Sequence, residues 1–193
     1  MASLAPEFVE PLLRGRLGRP YVYVECCHST QRLLDADEPE GAVAVTDEQT
    51  AGRGRLGRAW HAPRGSSILM SIVLRPHVPS PELPELSVVA GTAVAHALTE
   101  AAAVAPTIKL PNDVLIDGKK VAGILAEASD GRVVLGIGVN VSQRADELPH
   151  DVAATSLRIA TGREHERAPL LARILLELEH RYDAWVSGFE AAG

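Results

Sequence analysis

A hairpin near the middle of the chain constrains the fold most. Val114 to Ile116 and Val121 to Ala128 are strand-length apolar runs, and Asp117-Gly118 lies between them. That dipeptide suits a two-residue turn whose central positions need φ > 0, so the two runs must be antiparallel neighbours. Further strand signals lie at Tyr21 to Glu25, Ala42 to Thr46, near Ile108, and Val133 to Val141. Ile68 to Leu74 is a continuous run of apolar residues but for Ser71, which predicts a strand buried on both faces. Helical patterns interleave. Phe8 to Leu17 predicts a short helix, and Ser29-Thr30 reads as the N-terminus of another over Gln31 to Asp37. Pro81 to Ala103 predicts a longer helix. The closing helix has Pro169 in its first turn and a stripe of Leu170, Leu171, Ile174, Leu175, Leu178, Tyr182 and Trp185. Arg144 to Arg167 reads as irregular. Hairpins mixed with helices predict an α+β fold, a mixed and largely antiparallel sheet with flanking helices, rather than a doubly wound one.

The 193 residues suffice for one domain with a full core. Acidic residues outnumber basic ones, 25 to 19, for a net charge of −6. That balance argues against a general nucleic-acid binder but leaves room for a local basic pocket. The two cysteines, Cys26 and Cys27, are adjacent, so neither a disulfide framework nor a cysteine zinc site is expected. Met1 to Leu17 lacks the layout of a signal peptide, and no apolar run approaches the ~20 residues that span a membrane. A cytoplasmic protein with no membrane partner is expected.

Three segments carry chemistry. In Gln49 to Trp60, glycines and arginines alternate at Gly52, Arg53, Gly54, Arg55, Gly57 and Arg58. Glycines admit close backbone approach to a ligand, and arginines offer donor forks for phosphate or carboxylate. A flexible basic turn is the plainer alternative. Walker A spacing is absent. The second segment runs from Lys109 to Leu125, with Asn112, Asp113, Lys119 and Lys120 around Pro111 and the hairpin. Lys119 and Lys120 should point to opposite faces, so one of them faces inward or edges a pocket; a solvated hairpin end is the commoner explanation of such a pair. The third is Gly136 to Val141, where two glycines within a strand mark a bulge or a close approach, and Asn140 could add a polar contact. Tight strand packing explains those glycines equally well. The seven histidines show no metal-ligand spacing, and no residue is assigned to a metal. Neither a Ser-His-Asp arrangement nor a GxSxG elbow appears.

Taken in order, these segments resemble the catalytic domain of biotin protein ligases. Ser29-Thr30-Gln31 is similar to the family's Ser-Thr-Asn motif. Gly52 to Trp60 looks like its GRGRRGRxW loop, and Lys109 to Asp113 looks like KWPND. Lys120 to Leu125 matches KxAGIL, and Gly136 to Val141 matches its GIGxN strand. The resemblance implies the biotin–lipoate ligase fold, similar to class II aminoacyl-tRNA synthetases. It implies formation of biotinyl-5′-AMP from biotin and ATP with Mg2+, then transfer of biotin to a lysine of a biotin carboxyl carrier protein. Lys120 and Arg55 become the implied catalytic residues. Biotin would be bound by Ser29, Thr30, Gln31, Gln49, Gly52, Arg53, Gly54, Arg55, Trp60, Lys120 and Gly123. Arg53, Arg55, Arg58, Asn112 and Asn140 would hold the nucleotide.

Three positions depart from the pattern: Leu110 stands in place of tryptophan, Gln31 of asparagine and Leu56 of an arginine. The resemblance further implies a single catalytic domain over 1–193, with neither an N-terminal helix-turn-helix nor a C-terminal small β-barrel. A homodimer is left open. The competing readings are a lipoate or octanoate ligase or transferase of the same fold, and a non-catalytic biotin- or adenylate-binding module.

Overall fold

The structure, a computed structural model, describes residues 3–191. The expected domain 1–193 therefore includes positions 1, 2, 192 and 193, which lie outside the described residues.

The chain opens with a short helix, α1 (Pro6–Val9), continued by a 3-10 turn over Glu10–Leu12. Seven strands follow: β1 (Tyr21–Cys27), β2 (Val43–Gln49), β3 (Ser67–Leu74), β4 (Thr107–Lys109), β5 (Asp113–Ile116), β6 (Lys119–Ser129) and β7 (Arg132–Asn140). Helix α2 (Leu86–Ala102) lies between β3 and β4, while α3 (Leu157–Thr161) and α4 (Arg167–Glu190) close the chain. The strands form one sheet in the order β1-β2-β3-β7-β6-β5-β4. Only β1 and β2 pair in parallel; every other neighbouring pair is antiparallel. The expected mixed, largely antiparallel α+β fold is what the chain adopts.

Each turn follows from its residues. Asp117 and Gly118 take φ of 49° and 75°, the left-handed pair that a tight hairpin needs. Asp130 and Gly131 repeat the device between β6 and β7, at 51° and 73°. One face of the sheet carries the main core. Ile68, Met70 and Ile72 of β3 and Leu135 and Ile137 of β7 meet Val94 and Leu98 of α2 and Leu171, Ile174 and Leu178 of α4. Burying each such side chain is worth about 1.5–3 kcal/mol. Strand β3 is buried along its whole length, as its apolar run predicts, because it is central and its other face is also covered.

Three expectations need correction. The helix expected over Phe8 to Leu17 is displaced: helical residues stop at Leu12 and Leu13 is extended, and Pro11 lacks the amide that an α-helix would use there. Gln31 to Asp37 does not form a helix; only a 3-10 turn over Thr30–Arg32 appears. Distant arginines bind the carbonyls along the second half of this segment, which would lie at or beyond the end of such a helix. Arg132 donates to Leu34 and Asp35, and Arg75 donates to Ala36 and Glu38. The irregular Arg144 to Arg167 stretch also contains the 3-10 turn Ala145–Glu147 and helix α3, whose Ser156 cap accepts from the Ile159 amide.

Candidate active site

The face of the sheet away from α2 and α4 carries a patch of backbone almost bare of side chains. Gly123 of β6 pairs with Gly138 of β7, and Gly136 pairs with Leu125. The arginine-rich loop folds over this floor. Its base is pinned where the Trp60 amide donates to the Gly52 carbonyl at 2.9 Å, and a Cβ on Gly52 would lie 2.4 Å from the Trp60 carbonyl oxygen. Trp60 then lies on the floor: a Cβ on Gly138 would come within 2.6 Å of its ring, and one on Gly123 within 3.0 Å. Gly136 makes room for Gln31, whose Nε2 donates to the Leu125 carbonyl at 3.3 Å. The in-strand glycines are therefore close approaches rather than bulges.

Lys120 reaches this face through a bulge. Val114 pairs with Ala122 but Leu115 pairs with Lys120, which leaves Val121 as an extra residue. Side chains alternate along a strand, so without the bulge Lys120 would share the core face of Ala122 and Ile124. With it, Lys120 joins Gly123 above the floor. Lys119 is exposed at the hairpin end, so the lysine pair divides as expected. The Lys120 ammonium sits 2.6 Å from Asp113 Oδ1 and 5.5 Å from the Trp60 ring centre. Its position is fixed further by backbone bonds to Ala153 and Thr155 on the segment preceding α3.

Two cavities meet at Lys120. The deeper one, about 50 Å³, is bordered by Ser29, Thr30, Gln31, Gln49, Arg53 and Gly123. The outer one, about 230 Å³, is bordered by Arg58, His61, Lys109, Asp113 and Asn140. Gly54, Arg55, Trp60, Asn112 and Lys120 border both. Thus every expected site residue gathers at this place except Gly52, which holds the loop's base. Gln49 Oε1 accepts from the Thr30 amide at 2.8 Å, and Thr30 Oγ1 meets Ser71 Oγ at 2.7 Å. Asn112 is stapled to β6 by its side-chain bond to the Ile124 carbonyl, at 3.0 Å. Asn140 donates to the Thr155 carbonyl and accepts from Gln143, so it anchors the wall of the outer cavity. Arg53 forms an ion pair with Glu127 of β6.

Gln31 Oε1 and Trp60 Nε1 are buried without hydrogen-bond partners beside the deeper cavity. Such orphans are costly, and a polar ligand seated between them would relieve the cost. A network behind the site ties it to α4: Asp47 accepts from Arg167 at 2.7 Å and from Tyr23 at 2.6 Å. Burial first, and then the bond to Asp47, push the Tyr23 hydroxyl above its ordinary pKa and keep it a donor. Burial likewise raises the Cys27 thiol. Among the described residues no group of three or more His, Cys, Asp or Glu side chains could hold a metal ion, and no helix is long and apolar enough to cross a membrane.

Sequence reasoning did not assign roles to Asp113, Glu127, Ser71 or Gly138. Asp113 lies inside the second motif, and for Gly138 the sequence leaves a bulge, a close approach and tight strand packing open alike. Nothing local distinguishes Glu127 or Ser71, whose partners are far away in the chain.

Comparison with known proteins agrees with this geometry. The profile of the Biotin/lipoate A/B protein ligase family matches residues 23–143. The chain is 42% identical over 185 residues to the bifunctional ligase/repressor BirA of Bacillus subtilis, covering 90% of this chain and 57% of that protein. It is 42% identical over 158 residues to the biotin–[acetyl-CoA-carboxylase] ligase of Mycobacterium tuberculosis, covering 80% and 59%. The chain thus spans under two thirds of the length of these relatives. Among solved structures, the Aquifex aeolicus biotin protein ligase in complex with biotin and ATP superposes with a TM-score of 0.79 at 34% identity. That superposition covers 86% of this chain and 71% of the other. The Leishmania major biotin protein ligase in complex with biotinyl-5-AMP gives 0.72 at 25% identity, covering 88% and 79%.

Proposed function

The chain belongs to the Biotin/lipoate A/B protein ligase family, and on that footing we propose that it is the catalytic domain of a biotin protein ligase. It makes biotinyl-5′-AMP from biotin and ATP, then passes biotin to a lysine of a biotin carboxyl carrier protein. The observation that carries this reading is the meeting of two cavities, one deep and glycine-floored, the other cationic and open, at Lys120 and Arg55.

Biotin takes the deeper cavity. Ser29, Thr30, Gln31 and Gln49 face its polar end, while Gly123 and the neighbouring strand backbone form the floor. At about 50 Å³ this cavity is far below the several hundred Å³ of an ordinary ligand pocket, because Trp60 fills it. Trp60 and the Gly52–Arg58 loop therefore lift when biotin enters and close over it, a motion that the loop's glycines allow. ATP takes the outer cavity, where Arg55, Arg58 and Asn112 face it, with Asn140 holding the wall. Arg53 exchanges Glu127 for phosphate as the loop closes.

The biotin carboxylate oxygen attacks the α-phosphorus, and pyrophosphate leaves. Two anions must meet for this step, so Lys120 and Arg55 supply the screening and the positioning. Mg2+ would be held mainly by the ATP phosphates and would add to the screening of their charge. The acceptor lysine amine then attacks the mixed anhydride, forms the amide and releases AMP and a proton. The cytoplasm is the compartment this chemistry fits.

Mass spectrometry of a carrier domain after incubation with this chain, biotin and Mg-ATP tests the reading. The expected result is one biotinyl addition on lysine, lost in Lys120→Ala although that variant keeps its fold by circular dichroism. Tighter calorimetric binding of lipoate than biotin, or biotin binding without pyrophosphate release, would overturn it.

A further inference from the structure

Pairing between β6 and β7 stops at Ala122 and Val139, short of Lys120. From there β7 leans toward β3: Asn140 pairs with Ser67, and the Val141 amide donates to the Ser66 carbonyl. The place beside Lys120 is taken by residues 153–155, which lie outside every strand. The Lys120 amide donates to the Ala153 carbonyl and the Thr155 amide to the Lys120 carbonyl, each at 2.8 Å. Both backbone groups of Lys120 thus bond one loop segment, next to a bulge that already loosens the β5–β6 ladder.

That segment is held in turn by a buried polar network whose hub is Gln143, 1% exposed. The polarity of the network runs one way. The Thr155 carbonyl can only accept, so Asn140 must turn Nδ2 toward it, at 3.0 Å. Asn140 Oδ1 then faces Gln143, which must present Nε2, at 2.9 Å. The same Nε2 donates to Ser67 Oγ at 2.6 Å. Gln143 Oε1 is left buried without a hydrogen-bond partner among the described residues, a costly arrangement. Turning the carboxamide over would offer Oε1 the Ser67 hydroxyl but set it against Asn140 Oδ1, so the bond to Asn140 decides. The Gln143 carbonyl also accepts from Ser156 Oγ at 2.7 Å, which fastens the residue after Thr155 to the same glutamine. Gln143 borders neither of the cavities that meet at Lys120, so it acts on the reaction through other residues.

We infer that Gln143 is a positioning residue for Lys120, acting through Asn140 and the 153–155 segment. This role rests on the ligase reading above and concerns adenylate formation. Without the carboxamide, Asn140 is released, the segment slackens and the Lys120 ammonium leaves the place where the two anions meet. Precision of that kind sets the rate of the step rather than the affinity for either substrate.

Two variants test it. Gln143→Met keeps the length and removes both donors, and Gln143→Glu keeps the shape and sets an acceptor against Asn140 Oδ1. Amide hydrogen exchange of the ligand-free chain, read by NMR, should be about tenfold faster at Lys120 and Thr155 in both variants and unchanged in α2. With biotin and ATP saturating, the single-turnover rate of pyrophosphate release should fall about tenfold, while the half-saturating concentrations move by less than about twofold. Unchanged exchange at Lys120 overturns the inference. Faster exchange throughout, α2 included, with a full rate per folded molecule makes Gln143 merely structural and overturns it too. So does a raised half-saturating ATP concentration with the saturated rate kept, which assigns Gln143 to the nucleotide through Asn140. If the wild-type chain releases no pyrophosphate with biotin, the ligase reading fails and the role in adenylate formation with it, while exchange at Lys120 still decides whether Gln143 holds that backbone.

Discussion

At the scale of single residues, the site is defined as much by absent side chains as by present ones. Gly123, Gly136 and Gly138 leave bare backbone on which Trp60 and Gln31 rest. One methyl group at Gly138 would meet the Trp60 ring at 2.6 Å, and backbone on one side and the pinned loop on the other leave little room to yield. Overpacking of this kind costs about 1–3 kcal/mol. Gly138→Ala should therefore push Trp60 toward water and weaken biotin binding by about tenfold or more. A red shift of Trp60 fluorescence in a Trp185→Phe background, together with biotin titration calorimetry, checks this. An unshifted spectrum with full affinity would mean that Trp60 does not rest on Gly138. For Gly136 and Gly138 the sequence leaves a bulge, a close approach and tight strand packing open, and Gly123 enters only through the resemblance. What approaches them was not legible, because Trp60 lies far from Gly138 in the chain.

At the scale of elements, the bulge in β6 decides the site. A regular ladder would have put Lys120 on the core face, and the extra Val121 turns it over. The hairpin itself was legible from Asp117-Gly118, since turn chemistry is local. The bulge was not, because it depends on how β5 and β6 register across the sheet. The helix missing after Thr30 was no more legible, since Arg75 and Arg132, distant in the chain, bind the carbonyls along the second half of that segment.

The turn from α3 to α4 carries a pH dependence. His165 is held below its ordinary value of 6.5, first by burial and then by Arg163, against the opposing pull of Glu164. Its ring meets Thr161 Oγ1 at 2.8 Å. The unfolded chain thus binds this proton more readily than the folded one, so the contribution to stability is present above about 6.5 and is lost as pH falls toward the folded value. Denaturant unfolding at pH 7.5 and pH 5.5 should show a fall that is smaller in His165→Gln. Equal falls in both proteins would assign the slope elsewhere.

At the scale of the whole molecule, charge is divided. The surface is acidic on balance, yet Arg55, Arg58, Lys109 and Lys120 surround one cavity. A concentrated cationic mouth attracts an acidic partner through solvent, and salt screens that attraction within about 10 Å at 0.1 M. Raising ionic strength should therefore raise the KM for the carrier domain while leaving kcat nearly constant. A salt-independent KM would show that steering plays no part.

The sequence by itself determined the strands, the two long helices, the antiparallel hairpin, the buried central strand and the ordered motifs that assemble the site. The elements rest on turn chemistry or on hydrophobic patterning within a few residues, and the motifs on their resemblance to the family's. The tertiary structure alone decided that Lys120 faces the cavity, that Arg53 is held by Glu127 and that Trp60 lies on Gly138. Those outcomes depend on strand register and on contacts between residues distant in the chain, and neither leaves a local pattern to read.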